Sequence, residues 1–332
     1  MALLLGSTFV FGRDFLTDGE VISSDVSDSW VKIGSIKEGS PSVNVVVDKG
    51  VSITASSYLM IYDNNSITFR GGNTVNGGTV SVRKNSALYA EDTTFNIDQI
   101  TFMSDGSSTV LKNCTLNMKS FTIRAKNSGS LVLDGTKITT AEWSGYSGGT
   151  HYEDGLFNIT LKNGSSVDIT GAPSYGSNGG ANITLESGSS LTSNSGIITG
   201  SDIIVGSGCS LDVDGYIKTD KTLSVASDAT VGASSITFEK LQISFAKDLS
   251  AGSEENVNLS DIFGENAGVV AAALESGKEF TVVDANGNEY AADFDEAGGN
   301  VIHIGGQIPE PATYAAVFGA LALACAACRR RK

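Results

Sequence analysis

The chain has 332 residues, 40% of them hydrophobic and 18% charged, with 39 glycines against 4 prolines. That balance is too apolar for general disorder and too poor in proline for a proline-rich linker, and the length allows a sizeable core and about two domains. The formal net charge of -15 excludes nucleic acid as a partner, because affinity there rests on neutralising phosphates with cations.

Residues 1–12 are small and apolar but lack the positive n-region and the full h-region of a secretory signal. They read as a residual signal peptide; a first strand or apolar cap of the folded domain is the alternative.

Residues 13–240 repeat. Residues 157–169 read FNITLKNGSSVDI, 181–193 ANITLESGSSLTS and 201–213 SDIIVGSGCSLDV. The apolar residues after the turns (Val51, Leu88, Val110, Leu131, Val167, Leu191, Leu211 and Val231) are spaced by 37, 22, 21, 36, 24, 20 and 20. The unit is therefore about 20 to 24 residues, with room in the two long gaps for an insertion or an extra coil. Apolar residues alternate within a unit and Asn-Gly-Ser clusters punctuate it, which means short strands and turns. Each unit has one apolar face that it cannot bury alone; stacking the units makes a continuous core. No repeat carries ten residues of helical period, and the fixed Asn or Cys of a leucine-rich repeat is missing. The fold expected is all-β, a parallel β-solenoid resembling a right-handed β-helix, with an antiparallel β-sandwich as the alternative. Ile159, Leu161, Val167, Ile183, Leu185, Leu191, Val205, Leu211, Val213 and Val225 should point inwards. About nine to eleven coils at 4.7 to 4.9 Å per strand give a rod on the order of 50 Å long.

Several local features are read within this frame. Cys114 and Cys209 are expected to be buried free thiols. The glycine-rich stretch GGNTVNGG at 71–78 reads as a turn. Glu142 to Asp154 breaks the rhythm and reads as a projecting loop. Its Trp143, Tyr146 and Tyr152 are the candidate carbohydrate contacts, although core or loop packing serves aromatics equally well. Thr139, Thr140, Thr160 and Thr184 show no file on successive coils, which argues against an ice-binding array. Because some β-helices cut acidic polysaccharides, a carboxylate pair was sought. Asp212 and Asp214 share one face of a strand, with Asp168 one or two coils away, and solvated surface acids are the plainer reading. No arginine occurs between Arg124 and Arg329, and His151 and His303 are the only histidines. No catalytic residue is assigned, and a non-enzymatic protein is expected.

Residues 241–306 read as a small α+β cap that hides the last rung of the solenoid from edge pairing. A helix is expected within Leu259 to Leu274 with Ser260 as N-cap. A hairpin is expected between Phe280 to Val283 and Tyr290 to Phe294, turned at Asn286-Gly287. In that turn Asp284, Asn286, Asn288 and Asp295 fall at positions 1, 3, 5 and 12 of a calcium loop, but Glu289 stands where glycine is required. No metal or cofactor is expected.

Residues 307–332 have a different character. Pro309-Glu310-Pro311 is rigid and extended. Ala312 to Cys328 follows as 17 residues without a charge, a helix rising about 25 Å, the lower limit for a hydrocarbon core of about 30 Å. Cys325 and Cys328 lie within it, without partners for a zinc or redox site. Arg329, Arg330, Arg331 and Lys332 then end the sequence, a cytoplasmic basic tail by the positive-inside tendency. Without those cations the remainder carries -19.

A Pro-Glu-Pro tripeptide, one apolar helix and a terminal basic cluster in this order resemble the PEP-CTERM sorting signal of bacterial exported proteins. The resemblance covers about 25 residues. It implies recognition by an exosortase-type membrane protease or transpeptidase, cleavage near the tripeptide, and passage from a membrane-anchored precursor to the cell surface or extracellular matrix, often beside exopolysaccharide. These residues are then substrate and not catalyst. The incomplete N-terminal signal departs from the pattern and puts the start codon in doubt.

Overall fold

The computed structural model describes residues 12–307 apart from residues 38, 103–105, 124–127, 146–156, 172–180, 195–196, 200, 220, 250–254 and 296–300. The chain winds as a parallel β-solenoid. Successive coils add one strand to an eleven-stranded sheet starting at Arg13–Phe15 and one to a second sheet starting at Val21–Ile22. Inward side chains stack coil upon coil. In the first sheet Ile53, Val75, Phe95, Leu116, Ile138, Val167, Leu191, Leu211 and Val231 form one buried file. In the second, Leu88, Thr109, Leu131, Ile159, Ile183, Ile203, Leu223 and Leu241 form another. All ten residues expected to point inwards are buried.

The two sheets correct the repeat alignment. Leu88 and Leu131 belong to the second sheet, whereas Val167, Leu191, Leu211 and Val231 belong to the first. The long gaps are therefore steps from one sheet to the other. Both sheets share one alternation and similar turns, so the pattern identifies an inward residue without saying which wall it lines. Val110 is only half-buried, and Thr109 takes the inward place.

First-sheet strands from Ser52–Ile61 to Lys137–Gly145 are 9 or 10 residues long. Later coils break this span in two, and the second pieces (Ile197–Thr199, Tyr216–Thr219, Ser235–Thr237) make a separate three-stranded sheet. Glu142 to Gly145 thus lie in a strand and not in a loop. Gly77 and Gly78 likewise lie inside the strand Thr74–Val82, so GGNTVNGG is only partly a turn.

The turns explain the small polar residues. Asn64, Asn85, Asn113 and Asn163 adopt left-handed φ of 63°, 52°, 51° and 55°, which asparagine tolerates better than most residues. A further file, Asn73, Thr93, Cys114, Thr136, Ser165, Ser189 and Cys209, is buried just before the first-sheet strands from Thr74–Val82 to Ser210–Val213. Its side chains satisfy turn backbone that water cannot reach. Thr136 Oγ1 accepts from Cys114 N at 3.1 Å and donates to the Leu111 carbonyl at 2.8 Å, and Ser165 Oγ donates to the Lys162 carbonyl at 2.7 Å. Cys114 fills a hydroxyl position, its thiol donating to the Lys112 carbonyl at 3.3 Å. Both cysteines are buried and free, as expected, and burial pushes the Cys114 thiol up to about 11.

Outward residues stack with the same period, which constrains charge. A carboxylate repeated in every coil would face its own copies about 4.8 Å away. Outward files of the first sheet are instead largely neutral: Ser52, Thr74, Thr94, Thr115, Lys137, Ser166, Ser190, Ser210 and Thr230 in one, and Thr54, Asn76, Asn96, Asn117, Thr139, Asp168, Thr192 and Asp212 in the next. Hydroxyl files therefore exist, and Thr160 and Thr184 are register neighbours, both contrary to the sequence reading. The asparagines bond along the file, Asn117 Nδ2 donating to Asn96 Oδ1 at 2.9 Å.

Where the second sheet's edge does carry charge, the sign alternates. Glu91, Lys112, Asp134 and Lys162 occupy successive coils, with Arg70–Asp48 just before them at 3.1 Å. Lys112 Nζ lies 2.7 Å from Glu91 and Lys162 Nζ 3.5 Å from Asp134. The hydrogen bond to Glu91 and its charge hold the Lys112 ammonium above its usual range. Lys112→Glu would align three carboxylates on neighbouring coils. Its thermal midpoint is expected to fall at low ionic strength and to recover at about 1 M salt, where the screening length is about 3 Å. A deficit unchanged by salt would contradict the ladder.

The strand Lys240–Ser244 still pairs in parallel with Thr222–Ala226 and, on its other side, with Glu279–Val283, so the parallel stack runs past residue 240 and takes in one strand of the expected cap, which then turns back as the expected hairpin with Glu289–Asp295. Beyond Lys240–Ser244 lie helix α1 (Leu259–Phe263), helix α2 (Ala267–Glu275) and the antiparallel strands Glu289–Asp295, Val301–Gln307 and Glu255–Asn258. Asn258, not Ser260, caps α1, its side chain accepting from Ser260 N at 2.9 Å. Ser260 is already helical, whereas Asn258 has the extended backbone a cap requires. Leu259, Ile262, Phe263, Val270 and Ala271 are buried. Among the described residues no helix is long and apolar enough to cross a membrane; Ala312 to Cys328 lie outside them.

Candidate functional site

Pro309, Glu310, Pro311 and the basic tail Arg329 to Lys332 also lie outside the described residues, as do Tyr146 and Tyr152. Trp143 is described, and its position corrects the carbohydrate assignment. It pairs in register with Phe121, their rings 5.2 Å apart at 65°, and is only 7% exposed. Strand alternation carries the indole into the core, where Phe102 and Phe157 also pack, 5.3 Å apart. It offers no ring face to a sugar.

The acidic candidates are outside the core but dispersed. Asp168, Thr192 and Asp212 stack in one file, so the two aspartates are two coils, about 9.5 Å, apart at the backbone. Thr192 Oγ1 donates to Asp168 at 3.0 Å. Asp212 and Asp214 line a groove of about 550 Å³ between the last coils and the cap, opposite Asp261 and Glu265. Among the described residues no group of three or more His, Cys, Asp or Glu is placed to hold a metal ion.

In the hairpin turn, Asp284 is 5% exposed and its carboxylate organises the turn. It accepts from the backbone N–H of Asn286 and of Asn288, both at 2.9 Å, from the Asn288 amide at 2.9 Å and from the Tyr290 hydroxyl at 3.0 Å. Those donors occupy the lone pairs that a cation would need. Burial pushes the carboxyl up, but the bonds from Asn288, Tyr290 and Asn286 outweigh it and hold Asp284 down at about 2. A folded value below the unfolded one of about 3.9 adds stability above that pH, which is lost as pH falls towards about 2. Asp284→Asn is expected to lower the thermal midpoint at neutral pH and to flatten the decline between about pH 4 and pH 2. A decline as steep as in the unaltered chain would sink this account.

One aromatic pair at the surface escaped the sequence reading. Trp30 and Tyr58 are register partners on adjacent coils, their ring centroids 4.7 Å apart and tilted by 36°. Their neighbours Val31 and Leu59 are buried, so alternation turns both rings outwards, with Tyr58 36% exposed. The signal available was Trp30 one residue before the inward Val31, but nothing in the spacing shows that residues 28 apart share a coil boundary. No family model, curated protein or solved structure matches the chain.

Proposed function

We propose that the chain is an exported, non-enzymatic structural protein of the cell surface or extracellular matrix: a right-handed β-solenoid spacer sorted through a PEP-CTERM-type signal. The observation that carries this reading is the order Pro309-Glu310-Pro311, Ala312 to Cys328 and Arg329 to Lys332. The solenoid supports it as a rod whose side chains fill its interior. In the precursor the apolar segment anchors the chain in the membrane and the basic tail holds its end in the cytoplasm. An exosortase-type protease or transpeptidase then acts near the tripeptide, and exopolysaccharide is the surrounding partner. The test is the intact mass of the mature protein from its own cells. A C-terminus close to Pro309 is expected; a product retaining Arg329 to Lys332 would favour a plain membrane anchor.

A polysaccharide-degrading role is a second reading, favoured by the Asp212, Asp214, Asp261 and Glu265 groove. Release of reducing ends from a polysaccharide by the unaltered chain, lost in the Asp212→Asn, Asp214→Asn variant, would establish it. No release would leave the groove a structural seam.

A further inference from the structure

We infer that Trp30 and Tyr58 form a binding site for neutral carbohydrate on the N-terminal coils. The inference rests neither on the sorting signal nor on the acidic groove.

Two observations place the site. The first is a register shift: the strand Ser52–Ile61 carries one residue more than its neighbours before Tyr58, since Asp28 faces Ala55 and Ala55 faces Gly77, yet Trp30 faces Tyr58 and Tyr58 faces Thr79. Such a bulge re-aims side chains. It leaves Ser56 exposed and Ser57 half-buried beside the rings.

The second is what the same row carries elsewhere. Later coils place Thr79, Gln99, Ser120 and Glu142 there, all polar, so an outward position on this wall does not need an aromatic residue to fold.

The chemistry selects the ligand. Aromatic faces suit the C–H faces of sugar rings, and the rim of Asp28, Ser56, Ser57 and Thr79 supplies acceptors and donors for hydroxyls. The stack already holds both rings in place, so little freedom is lost on binding. A chain of net charge -15 repels an anionic polymer, which leaves neutral glycans.

The chain has two tryptophans, and Trp143→Phe leaves Trp30 as the sole reporter. The full chain carrying Trp143→Phe is titrated with cello-, laminari-, manno- and chito-hexaose and with oligogalacturonate. A saturable change in Trp30 emission is expected with at least one neutral hexaose and none with oligogalacturonate. Tyr58→Ala in the same background should weaken that binding by about tenfold or more, with an unchanged far-ultraviolet circular dichroism spectrum. Calorimetric titration of the otherwise unaltered chain should show the same binding lost in Trp30→Ala. The inference is overturned if no neutral hexaose binds, if oligogalacturonate binds as well, or if folded Tyr58→Ala and Trp30→Ala bind as tightly as the parent.

Discussion

Leu161→Ala is expected to cost about 3 kcal/mol, and Leu161→Asp to abolish the fold of the coils around it. Leu161 is 0% exposed and stacks between Leu133 and Leu185, both equally buried. Deletion of a side chain is most damaging where the surroundings cannot collapse into the space. Here backbone hydrogen bonds hold the flanking strands at 4.7 to 4.9 Å, so Leu133 and Leu185 cannot close over an alanine. The adjoining interior is already imperfectly filled, with a small cavity bounded by Leu131, Leu133 and Ile159. An aspartate at 161 would place a charge among apolar side chains with no counter-ion. Repeat stacks lose order nearest the lesion first, because each coil touches only its neighbours. Urea titration should show the lowered midpoint. Hydrogen exchange should show lost protection centred on Gly129–Asp134, Phe157–Lys162 and Ala181–Leu185. A wild-type midpoint in Leu161→Asp would mean that this position does not face the core.

How much of this was legible differs by feature. The inward residues were readable because a strand buried on one face must alternate, and Ile159, Leu161 and Val167 do so around a turn whose Asn163 and Gly164 favour left-handed φ. The partition into sheets was not, because Leu131 and Val167 satisfy one alternation on different walls. Trp143 was misassigned because an aromatic beside glycines resembles a loop residue. Only its pairing with Phe121 shows that the strand continues through it. The net charge of -15 does not say how the carboxylates are spread, and repetition disfavours files of one sign. A position copied at every coil tolerates hydroxyls, amides or alternating signs, as in Asn76, Asn96 and Asn117 or in Glu91, Lys112 and Asp134. The sorting signal was legible for the opposite reason: a linear signal resides in the order of its residues, whereas the Trp30–Tyr58 pair exists only once two coils are stacked.

Gly77→Ala is expected to lower stability by more than about 3 kcal/mol and to disturb the aromatic pair together with the fold. Gly77 has a φ of 131°, and a Cβ there would lie 1.9 Å from the Ala55 carbonyl oxygen and 2.6 Å from its carbon. These are backbone atoms of the neighbouring coil, so no rotamer change relieves the overlap. Gly78 is as tight, with 2.2 Å to the Ser57 carbonyl oxygen. The glycine pair therefore lets the bulged segment Ala55 to Ser57 pack against the next coil. With a methyl group at 77 the bulge must move out, and Tyr58, directly after it, must follow. The variant should show a lowered unfolding midpoint and, where it still folds, a shifted Trp30 emission in the Trp143→Phe background. Thr74→Ser, on the same strand but outward and half-buried, is the control expected to change neither. If Gly77→Ala kept the parent's midpoint and emission, the bulge would not depend on glycine, and the rings would owe their position to some other contact.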